Sequence, residues 1–155
     1  MSNHEKTAAL KKGLFLAMYT LLQWTFGIVQ NITGLIILAY LHAVRKDTKT
    51  AYFHGALVTN WKKPESLGMG MFIFLGSGCS ERSPLAVHEY GHTVQSAILG
   101  PLYLPVIGLP SAIWCGSRRL RRMRSEKGVS YFCLYCERWA NSLGRCVLRR
   151  EPPER

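Results

Sequence analysis

The sequence predicts a mainly helical α+β protein in which membrane-embedded helices and a small β-sheet surround one helix that carries two histidines. Three observations carry this expectation. The pentapeptide His88-Glu89-Tyr90-Gly91-His92 lies inside the apolar run 84–100. Segments 50–61 (TAYFHGALVTNW) and 70–75 (GMFIFL) are rich in β-branched and aromatic residues, and the polar turn Lys62-Lys63-Pro64-Glu65-Ser66 separates them. The stretch 14–44 runs for 31 residues without a charge. At 155 residues the chain makes one domain, with positions 1–13 and 149–155 expected as flexible ends.

Charge and hydropathy are segregated along the chain. The net charge is +11, yet 48% of the residues are hydrophobic, and the basic residues sit beside apolar segments rather than among them. That pattern suits a membrane protein with basic flanks, and no nucleic-acid partner is expected. Five cysteines (79, 115, 133, 136 and 146) form no recognisable framework and read as reduced thiols. The first apolar run is too long for a cleavable signal peptide and lacks an obvious cleavage site.

In chain order, a polar start with Lys6, Lys11 and Lys12 leads into 14–44. As one straight helix that run would measure about 46 Å, against roughly 30 Å for a hydrocarbon core. Gln23, Gly27, Gln30, Asn31 and Gly34 interrupt it, so a single tilted span competes with a hairpin turning near 26–31. Basic residues at both ends favour the hairpin, with both ends on the cytoplasmic side. Segments 50–61 and 70–75 then read as a β-hairpin or small antiparallel sheet. The second is a candidate edge for pairing with a peptide backbone, or equally an ordinary buried strand. After the loop 76–83, Ser83-Pro84 starts a helix that Gly100-Pro101 ends near Leu99. Pro105 and Pro110 make 102–115 a broken, membrane-dipping segment. Arg118, Arg119, Arg121, Arg122 and Arg124 follow as a loop-borne anchor for anionic lipid. A last amphipathic helix covers 129–148.

The chemistry is read from the pentapeptide. Residues four apart share a helix face, so both imidazoles can point at one ion. Glu89 is rotated away from the first histidine and reaches a water on the metal's open position instead. In this H-E-x-x-H arrangement a zinc ion lowers the pKa of its water and the carboxylate takes the proton. A third ligand is found by elimination. His4, His42, His54 and the only aspartate, Asp47, all lie upstream. Of the later carboxylates, Glu126 is in the arginine-rich stretch, and Glu151 and Glu154 flank Pro152-Pro153. Glu137, inside the last helix, remains. Asn141 is one turn further on the same face, placed to orient a ligating histidine.

With those residues in place, the chain resembles the gluzincin metallopeptidases, whose pattern is H-E-x-x-H followed by E-x-x-x-D. The likeness is nearest to membrane members such as the CAAX prenyl proteases and heat-shock membrane proteases. The string HEYGHTVQSAILGPLYLPVIGLPSAIW also resembles small bacterial membrane proteins that share the pentapeptide and a later Glu-x-Trp-Ala. Asn141 stands where gluzincins carry Asp; it can orient a histidine but brings no charge. The resemblance implies a zincin-like fold and a zinc-dependent peptidase in the cytoplasmic membrane, acting on a peptide or membrane-protein substrate. Zinc would be held by His88, His92 and Glu137, with Glu89 as general base.

Rival readings stay beside this one. Cys133-x-x-Cys136 lacks the second pair of a structural zinc site, although Cys133 is placed to line the pocket. Tyr103, Tyr131 and Tyr135 are candidates for donating to an oxyanion, or are packing residues. His42 and His54 read as structural. A non-enzymatic membrane scaffold with a silent, closed metal site is the alternative function, and a non-proteolytic zinc hydrolase is a third.

Overall fold

The structure, a computed structural model, describes residues 3–153. It is mainly helical with one small sheet. Helices α1 (Asn3–Thr25) and α2 (Ile28–Val44) meet at Gly27 with their axes bent by 89°. Helix extends through the segment expected as a polar start, back to Asn3. Gly27 is buried at the break, and a Cβ there would press on the Gln23 side chain at 2.8 Å. No single helix among the described residues is long and apolar enough to cross a membrane, whereas the bent pair together has the length and composition.

Four strands follow: β1 (Thr50–Phe53), β2 (Ala56–Asn60), β3 (Leu67–Met69) and β4 (Phe72–Leu75), in the order β1-β2-β4-β3. Segment 50–61 is therefore a hairpin in itself, not one strand. His54 and Gly55 both have positive φ, 50° and 94°, which makes the two-residue turn that a right-twisted hairpin prefers. Gly55 was a readable signal; a histidine in that region was not. The sheet is mixed rather than antiparallel, because β2 and β4 pair in parallel. This corrects the edge assignment as well. β4 is flanked on both sides and wholly buried, so the free edge beside the motif helix belongs to β3.

The motif helix α3 (Pro84–Leu99) begins and ends where the sequence places it. Ser83 accepts a hydrogen bond from the Ala86 N–H, Pro84 occupies the first turn, and Gly100 at φ 52° ends the helix. Its apolar side packs on one face of the sheet in a core that includes Val87, Tyr90, Val94, Ile73 and Val58. Helix α2 covers the other face, against Phe72, Phe74 and Trp61. Tyr90 donates to the His54 carbonyl at 2.8 Å, tying the hairpin turn to the motif helix.

Beyond Gly100 the chain forms a 3-10 turn, a π turn over Leu104–Gly108 and α4 (Leu109–Gly116), each piece with a proline near its start. The arginine run is helical rather than a loop: α5 (Arg118–Lys127) is capped by Ser117 and closed by Gly128 at φ 61°. An Arg122–Glu126 pair at 2.7 Å supports it one turn apart. Arg124 turns back over the Trp114 ring and donates to the Trp114 carbonyl, leaving Arg118, Arg119 and Arg121 facing outward.

The last helix is shorter than expected. Ser130 caps a 3-10 turn at Tyr131–Cys133, Leu134 is extended, and α6 (Tyr135–Leu148) starts there. Residues 149–153 make contacts with the body of the protein, while positions 154 and 155 of the expected flexible end lie outside the described residues. Arg150 donates to the Glu81 and Arg82 carbonyls, Arg145 pairs with Glu151 at 2.9 Å, and Pro152 is buried.

Candidate metal centre

Helices α3 and α6 cross with almost nothing between their backbones. A Cβ on Gly91 would run into the Ala140 carbonyl, and one on Gly144 into the Val87 carbonyl. Two glycines, one per helix, thus let the chains approach at the crossing. That crossing puts Glu137, in the first turn of α6, against the histidine face of α3. A carboxylate is favoured there by the helix N-terminus.

The structure brings together all three residues expected to share an ion. The ligand atoms of His88, His92 and Glu137 lie within 4.8 Å of one another, and all three residues are buried. Glu137 Oε2 is 3.1 Å from His88 Nε2 and 3.5 Å from His92 Nε2.

The imidazoles are fixed from behind. Asn141 Oδ1 is 2.7 Å from His88 Nδ1, the partnership the sequence predicts. The Asn141 amide donates to the Pro153 carbonyl at 3.0 Å, which settles which end of the amide faces the ring. Gln95 does the same for His92: its Oε1 is 2.7 Å from Nδ1 while its amide donates to the Cys136 carbonyl at 2.9 Å. Both Nδ1 atoms therefore carry a proton, and in neutral rings both Nε2 atoms present lone pairs. Gln95 was missed in the sequence, although its position one turn beyond His92 was a readable signal.

These facts test whether a cation fits. Glu137 Oε2 is buried and has no hydrogen-bond partner. An orphaned anionic oxygen and two imidazole lone pairs converging on one point repel each other unless a positive charge stands between them. Two nitrogens and a carboxylate oxygen form a donor set that zinc accepts. Among the described residues no fourth His, Cys, Asp or Glu joins the group. The Cys136 thiol lies 3.7 Å from the other Glu137 oxygen. Cys133 is exposed and lines an open groove of about 480 Å³ with Phe132, Arg138, Asn141 and Pro153.

Glu89 stands outside the trio but beside it, buried, with its carboxylate accepting from the Gly68 N–H of β3. Burial pushes its pKa up to about 7, against the pull of His88. For Glu137 burial also pushes upward, but the pull of the neighbouring His88 and His92 rings prevails and holds it well below the usual carboxylate range. Ser111 of α4, a residue the sequence did not single out, lies near both Glu137 and Tyr131. Two of the three tyrosines considered as oxyanion donors are engaged elsewhere: Tyr103 donates to the Gly68 carbonyl at 3.1 Å and Tyr135 to the Val106 carbonyl. His42 contacts Thr50, and the His54 ring packs on Phe53, so neither enters the site.

No family model matches the chain, and no curated protein and no solved structure matches it.

Proposed function

We propose that this chain is a zinc-dependent peptide hydrolase working at the cytoplasmic face of a membrane, with His88, His92 and Glu137 as ligands and Glu89 as general base. The observation that carries the reading is the partnerless Glu137 Oε2 facing two imidazole nitrogens whose far sides are already committed. A bound zinc supplies Lewis acidity, which acidifies a water and polarises a carbonyl.

The chain's own residues supply the rest. Glu89 takes the proton from water and returns it to the leaving amine, a task suited to a carboxyl that burial has shifted toward neutrality. Gly68 holds that carboxylate through its N–H and ties the site to the free edge of β3. That edge is where an extended peptide would pair, replacing the 70–75 segment in that role. Tyr131 is the remaining tyrosine candidate for the oxyanion.

The test is metal content and turnover together. Glu89→Gln is expected to keep stoichiometric zinc and lose peptidase activity by about 100-fold or more. His88→Ala is expected to lose the metal. Undiminished activity in Glu89→Gln, or zinc retained by His88→Ala, would overturn the role assignments.

One observation favours a second reading, a membrane scaffold with a silent metal: the Cys136 thiol lies beside Glu137. Cobalt substitution separates the two. A thiolate-to-cobalt charge-transfer band, abolished by Cys136→Ala, would mean a closed site; its absence supports the hydrolase.

A further inference from the structure

The bent pair α1–α2 is inside out. Its polar interruptions point inward: Gln23, Gln30 and Asn31 are each 0% exposed. Gln23 donates to the Thr93 carbonyl and Gln30 to the Gly100 carbonyl, while the Met71 N–H donates to Asn31 Oδ1. The outer surface is apolar, with Leu10 at 73%, Leu14 at 68%, Leu21 at 63% and Ile36 at 64% exposure. Water as the surrounding solvent would favour the reverse arrangement; hydrocarbon favours this one.

A third apolar limb leaves the same point. Phe26 at the elbow lies against Gly100, so closely that a Cβ on Gly100 would strike its ring. From Gly100 the chain exposes Leu102, Leu104, Leu109 and Ile113 before α4 ends at Gly116. All three limbs therefore start at the elbow, and each leads to basic residues: Lys11 and Lys12, Arg45 and Lys46, and the arginines of α5.

We infer that the elbow at Phe26–Ile28 is the deepest point of a tripod that inserts into one leaflet of an anionic bilayer and does not cross it. The inference rests on the membrane location proposed above and specifies its form. Elementary lengths agree with it. From the elbow, Lys12 is about 20 Å along α1 and Arg45 about 25 Å along α2. Legs at 89° to each other, each inclined by about 45°, put the elbow roughly 14–18 Å below those charges, near half of a ~30 Å core. The basic ends then lie together at the headgroups, where each lysine or arginine is favoured by anionic lipid. Because Gln23 grips the carbonyl of Thr93, next to the ligand His92, the inserted elbow is directly braced against the metal helix.

The test uses the full chain, synthesised cell-free with preformed sealed vesicles of phosphatidylcholine and phosphatidylglycerol. A membrane-impermeant amine reagent is added outside and the labelled lysines are mapped by mass spectrometry. Lys11 and Lys12 are expected to label as fully as Lys46 and Lys49. Trp24 is expected to be quenched most by lipids brominated deep in the acyl chain, read as the difference between the parent and Trp24→Phe. Labelling of one lysine pair with protection of the other means a crossing helix and overturns the inference while leaving the membrane reading intact. Release by high salt with no deep quenching of Trp24 overturns it in favour of surface adhesion. Failure to bind vesicles at all sinks the membrane reading with it.

Discussion

At the scale of single residues, the site depends on amides as much as on ligands. Asn141 and Gln95 each offer an oxygen to an imidazole while their nitrogens are held by backbone carbonyls. Removing such a partner frees the ring to rotate, and the expected loss of zinc affinity is about 10-fold or more for Asn141→Ala or Gln95→Ala. Competition against a fluorescent chelator measures it. Glu89 gives a pH prediction for the metal-free protein. Its pKa is raised from 4.5 to about 7. A carboxyl shifted upward by folding stabilises below its unfolded pKa, and that contribution disappears as pH rises from about 4.5 through about 7. Metal-free Glu89→Gln should therefore be more stable than its parent at about pH 8, by roughly 2–3 kcal/mol, with a flatter profile on urea denaturation in chelator. Glu137 has the opposite sign: held low, it stabilises above the ordinary carboxylate range and is lost on acidification.

At the scale of elements, the α3–α6 crossing decides whether there is a site at all. Gly91 sits within the pentapeptide because the Ala140 backbone occupies the space of a side chain. Gly91→Ala is expected to separate the helices, cost about 3 kcal/mol or more, and lower zinc stoichiometry even though every ligand remains. Thermal denaturation and metal analysis of the same sample check both parts. Much of this was legible beforehand. Ser83-Pro84 and Gly100-Pro101 fixed the bounds of α3 because caps are local chemistry. Elimination reached Glu137 because so few carboxylates lie downstream. What escaped was tertiary. A parallel β2–β4 pair needs a crossover that no local pattern encodes, and Ser111 meets Glu137 only through the fold. The arginine stretch was read as a loop because its repeated charge hid good local helix signals, Ser117, Gly128 and the Arg122–Glu126 spacing.

At the scale of the whole molecule, polarity is arranged around two environments. Helix α3 packs on the sheet and accepts a hydrogen bond from Gln23 of α1, while α1 and α2 turn apolar side chains outward. Gln23→Leu tests that coupling. It leaves the Thr93 carbonyl without its donor in a buried setting, and a destabilisation of about 1–3 kcal/mol is expected, measured by unfolding in detergent micelles. A break near 26–31 was anticipated from the polar and glycine interruptions; its 89° bend was not, because Gln23, Gln30 and Asn31 grip partners brought close only by the fold.

The carbonyl of Pro153 has a practical consequence. It steadies Asn141, and Asn141 steadies His88, so shortening the chain to Pro152 would slacken the same thread that keeps an imidazole in line. Recombinant protein shortened in this way should load zinc less completely than the full-length chain, and metal analysis of the two gives the comparison.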